Sequence, residues 1–193
     1  MKTNIYLICS IVLMFSYSQA FTQRFVPDTT INNICLLRNS NLSEVFYSNI
    51  NNLKLLDEDF GFLQEDSPLF IFFNADKTEY LITFEHEGDI DNSFSEFEIG
   101  YVTENIQKEV GNKYTETAYK DFQTESRLRL GMTLEELEKI KGKNYIRKGN
   151  TITYFINDDV SGFLKRYNMP EYFLKCELSE NKVCKIRFGF SYP

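Results

Sequence analysis

The sequence predicts an α+β fold built as a tandem repeat. A short helix followed by antiparallel strands occurs twice, with the helices packed on one sheet face. Three observations carry this reading. Residues 133–142 carry the signals of a capped amphipathic helix. A related pattern stands 92 residues earlier. The segments after each alternate apolar and polar residues, as antiparallel strands with one wet face do.

The helix at 133–142 is the most sharply specified element. Thr133 is a good N-cap, and Glu136 three residues on completes a capping box. Met132 and Leu137 stand at the two positions of a hydrophobic staple. Leu134, Leu137 and Ile140 recur at helical spacing. Glu135 and Lys139 form an i, i+4 pair in the favourable order. Gly142 supplies the stop, with Lys139, Lys141 and Lys143 around the negative helix end.

In the earlier copy Asn41, Leu42, Glu44 and Val45 take the places of Thr133, Leu134, Glu136 and Leu137. The same offset of 92 lays Glu79–Glu85 on Glu171–Glu177. Phe97–Tyr101 then matches Ile186–Phe190 at an offset of 89, the difference falling in a loop. Three matches in one order are the signature of a duplicated unit. The first unit, 21–110, is expected to hold a helix near 42–50 and strands at 69–73, 78–85 and 94–102. A polar and aromatic connector, 111–126, leads to the second unit, 127–193. That unit has its helix at 134–141 and strands at 151–156, 172–178 and 183–190. Asn74-Ala75-Asp76-Lys77 reads as a hairpin turn.

Strand register bears on the cysteines. Leu174, Cys176 and Leu178 share one face of their strand, and Cys184, Ile186, Phe188 and Phe190 share one face of the next. Directly opposed residues in an antiparallel pair point the same way. For both apolar sets to face the core, the numbers of paired residues must sum to an even value. Pairing Cys176 with Cys184 around an odd loop centred on Glu180 meets that condition. The two cysteines are therefore expected as cross-strand neighbours, either bonded as a disulfide or packed as small hydrophobes. Cys35 is expected as a buried thiol.

The first twenty residues have the layout of a secretory signal peptide: Lys2, an apolar run from Ile5 to Phe15, and Ser18-Gln19-Ala20 as a cleavage site. That run is shorter than the roughly 20 residues a membrane span needs. The expected location is secreted or periplasmic after cleavage following Ala20, with no integral membrane span. Cleavage removes Cys9, whose neighbours Leu7 and Ile8 do not form a lipidation site. An exported chain that keeps three cysteines leaves at least one without an internal partner.

The chain has 193 residues, with 28 acidic against 21 basic and a net charge of −7. Such a balance repels phosphate backbones and anionic lipid heads, so nucleic acid is not an expected partner. There is no Trp, but 18 Phe and 12 Tyr supply ample apolar area for a core.

Residues with chemistry are few. His86, the only histidine, sits among Glu85, Glu87, Asp89 and Asp91. A lone imidazole among carboxylates suits a general base or a metal ligand, and equally an exposed loop. His86, Asp89 and Asp91 mark the one candidate functional loop. No second histidine stands by to complete a zinc site, and the spacing lacks the glycine and terminal Glu of an EF-hand. No nucleophile elbow, phosphate loop or His-Glu-x-x-His is present. No catalytic, cofactor-binding or metal-binding set is assigned, and no cofactor is implied. Lys139, Lys141, Lys143, Arg147 and Lys148 form a short basic run that reads as helix-end charge and a solvated face. Asn41-Leu42-Ser43 is a glycosylation sequon by pattern, on the predicted helix cap.

Arg129-Leu130-Gly131-Met132-Thr133-Leu134-Glu135-Glu136-Leu137, closed by Gly142, resembles a motif of exported proteins. It is similar to one in outer-membrane assembly lipoproteins of the SmpA/OmlA type and in the β-lactamase-inhibitor protein family. The latter also has tandem helix-plus-sheet repeats. The resemblance implies helices on an antiparallel sheet and binding of other proteins without catalysis. Two departures stand out: Lys141 replaces the usual Leu before the closing Gly, and a lipidation cysteine is missing. The function expected from residues and resemblance together is a non-catalytic protein-binding module. The alternatives are a hydrolase using carboxylates near His86 and a structural envelope component.

Overall fold

The computed structural model describes residues 25–32, 34–37, 60–63, 68–85, 94–158 and 162–191. The predicted signal peptide, the helix near 42–50 with its sequon, and the loop holding His86, Asp89 and Asp91 lie outside the described residues.

The chain is a mixed α/β protein dominated by one large sheet. A small hairpin, β1 (Thr30–Ile31) and β2 (Ile34–Cys35), comes first. A 3-10 turn follows at Gly61–Leu63. Then come β3 (Pro68–Phe73), β4 (Glu79–Glu85), β5 (Phe94–Tyr101), helix α1 (Glu104–Val110) and β6 (Thr115–Glu116). The second half has α2 (Leu134–Lys141), β7 (Ile146–Lys148), β8 (Thr151–Ile156), α3 (Phe163–Tyr167), β9 (Glu171–Ser179) and β10 (Lys182–Ser191). The large sheet has eight strands in the order β6-β3-β4-β5-β10-β9-β8-β7. Every pairing in it is antiparallel except β3 with β6.

Local chemistry explains the best-defined elements. In α2 the Thr133 side chain accepts from the Glu136 backbone N–H, and the Glu136 carboxylate accepts from the Thr133 N–H at 2.7 Å. Lys139 and Glu135 pair at 3.0 Å. Gly142 ends the helix at φ 81°, a conformation that favours glycine. In the β3–β4 turn the Asn74 side-chain oxygen accepts from the backbone N–H groups of Thr78 and Glu79. The Asn74 amide also donates to the Lys120 carbonyl at 2.7 Å, and Glu79 accepts from the Phe122 N–H. These bonds fasten the 111–126 stretch against the first half of the sheet.

Two apolar layers sandwich part of the sheet. The larger lies under α2, α3, the β1–β2 hairpin and the 119–132 segment. It includes Ile31, Phe72, Leu81, Phe97, Phe122, Leu137, Leu164, Tyr172, Leu174, Cys176, Ile186 and Phe188. The smaller lies on the opposite face, where Ile71, Phe73, Tyr80, Ile82 and Phe84 pack with Phe60, Leu63 and Val110. Helices therefore lie on both faces, which corrects the expectation of helices on one face only. The reason is visible in β3 and β4. Residues 70–73 and 80–84 are buried at every position, so these strands have no wet face and require cover on both sides.

The register bears on the internal match and corrects one further expectation. Tyr80, equated with Tyr172 at an offset of 92, lies on the opposite sheet face from it. The matched segments are thus one residue out of phase in the sheet. Cys176 pairs with Ile186, not with Cys184. The hairpin closes through Glu180-Asn181, both at positive φ (50° and 62°), which leaves Val183 opposite Leu178. A tight turn of this kind gives the wrong parity for an inward apolar face. A bulge between Val183 and Lys185 restores it, with Cys184 as the extra residue. Even parity is met by a bulge and not by an odd loop. Cys176 and Cys184 are both free thiols. Cys176 is in the core, while the Cys184 thiol donates to the Glu177 carbonyl at 3.3 Å.

Candidate interaction face

The second half of the sheet differs from the first on the face opposite α2. Register places Glu98, Arg187, Lys175, Thr153 and Ile146 side by side across five strands of that face. The next row holds Lys185, Glu177, Thr151 and Lys148. On the other side run Glu96, Gly189, Phe173 and Phe155. Among the described residues, the apolar layer on this face includes no residue of β7 to β10, and the 3-10 turn borders this half. Phe155 is 44 % exposed and Ile146 is 59 % exposed, two of the four large apolar side chains so exposed among the described residues.

Towards the sheet centre the charges are paired. Arg187 donates to the Glu96 carboxylate from Nε at 2.7 Å and from Nη2 at 2.6 Å, and its guanidinium lies 4.4 Å over the Phe84 ring. Glu98, buried at its own strand centre, accepts from the Tyr80 hydroxyl at 2.9 Å and meets Lys185 at 3.5 Å. Burial, reinforced by the Glu98 charge, pushes the Tyr80 hydroxyl far above its usual range, so it stays a donor. A groove of ≈ 250 Å³ runs here, bounded by Phe62 and Leu63 of the 3-10 turn and floored by Glu98, Lys175, Glu177, Lys185 and Arg187.

Towards the free edge the character changes. The two outer strands, Ile146–Lys148 and Thr151–Ile156, contain no acid. Lys148 and Lys175 are exposed and make no ion pair among the described residues. Lys175 stands directly opposite Arg187, a like-charge neighbour that is unfavourable unless a counter-charge lies near.

Of the residues singled out in the sequence, Cys176 sits at the back of this sheet, facing the core, and Cys184 lies in the bulge beside Glu177. His86, Asp89 and Asp91 lie outside the described residues. The basic run divides. Lys139 and Lys148 are exposed, as a solvated face requires, but Lys141 is buried at 1 % exposure and pairs with Asp28. The residues of this face carried no motif signal. They appear only when register assembles them across strands, and in the sequence Phe155 is simply part of a strand. Among the described residues, no group of three or more His, Cys, Asp or Glu could hold a metal ion. No helix among them is long and apolar enough to cross a membrane.

Comparison with protein families, with curated proteins and with solved structures finds no match to the chain.

Proposed function

We propose that this protein is a secreted or periplasmic, non-catalytic binding module that docks another protein on the open half of its sheet. The observation that carries this reading is the face itself, a strand surface with Phe155 and Ile146 exposed beside charged side chains. Apolar anchors ringed by polar groups are the usual make-up of a docking patch. The signal-like N-terminus supplies the location, and the resemblance at Gly131–Leu137 supports the same class of function.

The reading includes a duplicated helix-plus-sheet unit. The strand order β3-β4-β5 meeting β10-β9-β8 supports it, because this order reverses about the sheet centre. Glu98 pairs with Arg187, the residue 89 positions on that the internal match equates with it. Two copies joined about a local twofold axis give that self-pairing. The phase difference at Tyr80 and Tyr172 then marks a one-residue slip between copies in the neighbouring strands.

Affinity capture from the native envelope and medium tests the function. The chain from Phe21 onward should retain a specific protein, and Phe155→Ser with Ile146→Ser should lose it while keeping the same melting temperature. A partner retained undiminished by that variant places docking elsewhere and ends the reading.

A further inference from the structure

Resting on the docking reading, we infer that the partner presents an extended acidic segment to the outer strip formed by β7, β8 and Lys175. The charge of the strip argues for this. The whole chain carries −7, yet β7 and β8 hold no carboxylate; Lys148 shares the open face with Ile146, while Arg147, opposite Ile152, lies on the other face. On β9 the next charges inward are Lys175 and Glu177; Lys175 faces Arg187 across the strand pair and has no ion-pair partner among the described residues. Arg187 and Lys185 are neutralised by Glu96 and Glu98, and among the described residues the cations left on this face of β7, β8 and β9 are Lys148 and Lys175. Apolar surface lies among them at Ile146 and Phe155.

The edge itself excludes the simplest alternative occupant. Among the described residues β7 pairs only with β8, which leaves its other side for an added strand. A second copy adding there would set Arg147 and Lys148 against the same residues of its mate. Basic residues on an edge strand oppose such self-pairing. A foreign segment with carboxylates alternating with apolar side chains meets both features: acids against Lys148 and Lys175, apolar groups on Ile146 and Phe155. Rim charges of this kind govern encounter rate and partner choice, and weaken with added salt.

Selection of random twelve-residue peptides displayed on phage, using the full mature chain as bait, tests the inference. Enriched peptides should carry an excess of Asp and Glu among apolar residues. They should shift the backbone amide resonances of Ile146–Lys148 and Thr153–Phe155. Lys148→Glu with Lys175→Glu should weaken them at least tenfold. Both lysines are exposed, so an unchanged near-ultraviolet circular dichroism spectrum certifies the fold of that variant. Neutral or basic peptides that map to the strip, or acidic ones indifferent to the charge reversal, overturn the acidic segment and leave the docking face standing. Peptides that map only elsewhere, or no enrichment, overturn both.

Discussion

Asp28 and Lys141 meet at 2.8 Å inside the protein, each side chain only 1 % exposed. Lys141 also donates to the Val26 carbonyl at 2.7 Å and lies over the Phe25 ring. Asp28 accepts from Ser126 at 2.9 Å, and its backbone is held by the Tyr172 hydroxyl. The pair therefore joins the segment before β1 to the end of α2, the 119–132 stretch and β9. Removing one partner of a buried pair leaves an uncompensated charge, at a cost of about 3–5 kcal/mol. Lys141→Ala should lose stability on that scale in urea unfolding. Replacing both, as Asp28→Leu with Lys141→Leu, should recover most of it. A double variant no better than the single would mean that the hydrogen bonds, not the charges, hold this corner.

The same pair sets a pH dependence of unusual sign. Burial raises the Asp28 carboxyl above its ordinary 3.8, with the Lys141 charge opposing. The folded chain thus takes up this proton at a higher pH than the unfolded chain. Through the window from the raised value down to 3.8, stability from Asp28 increases as pH falls. Asp28→Asn removes that contribution. The gap in Tm between wild type and variant should widen as pH is lowered from about 7 to about 4. A gap that narrows on acidification contradicts the sign.

How much of this was legible beforehand depends on the range of the signal. The capped helix α2 and the strands β3, β4, β5, β8, β9 and β10 follow from local periodicity, caps and turn residues, and the structure places them within a residue or two of expectation. The short helices α1 and α3 and the edge strands β6 and β7 carry weaker patterns, which periodicity alone does not set apart from loops. Lys141 shows the harder limit. Its neighbours in sequence are lysines in water, and only Asp28, more than a hundred residues away, explains why it is inside. The outer strip was invisible for the same reason, since its residues come from three strands.

The thiols give a direct check on the register. Burial pushes the Cys176 thiol up to about 12, so it should resist alkylation in the folded protein at pH 8. Mass spectrometry after iodoacetamide treatment should find Cys176 unmodified until denaturant is added. Reductant should leave Tm unchanged, because no disulfide joins Cys176 and Cys184. Deleting Cys184 removes the bulge and turns Ile186 and Phe188 away from the core, so the deletion chain should fail to fold.

Thr83 carries a buried hydroxyl with no hydrogen-bond partner among the described residues. A buried polar atom in that state costs free energy that a methyl group does not. Thr83→Val keeps the shape and should raise stability by about 1 kcal/mol in chemical denaturation. A loss would indicate that the hydroxyl is bonded in solution.

Close packing at the sheet centre is maintained by Gly189. A Cβ there would strike the Ser95 carbonyl oxygen and the Glu96 backbone of the neighbouring strand. Gly189→Ala must spread β5 from β10, and overpacking of this kind costs about 1–3 kcal/mol. The variant should unfold at correspondingly lower urea concentration and lose amide exchange protection first along β5 and β10. Uniform loss of protection would deny this seam a special place.

That seam also decides the order in which the chain can assemble. β3, β4 and β5 lie near one another in sequence, as do β8, β9 and β10, whereas β5 and β10 close a loop of nearly the whole second half. Local pairings form quickly, and distant ones wait on loop closure. Each three-strand meander should therefore gather by itself, and their zippering at Glu98 and Arg187 should limit the refolding rate. Until it occurs, two bare strand edges face the solvent, so the period before closure is when this protein is most exposed to aggregation.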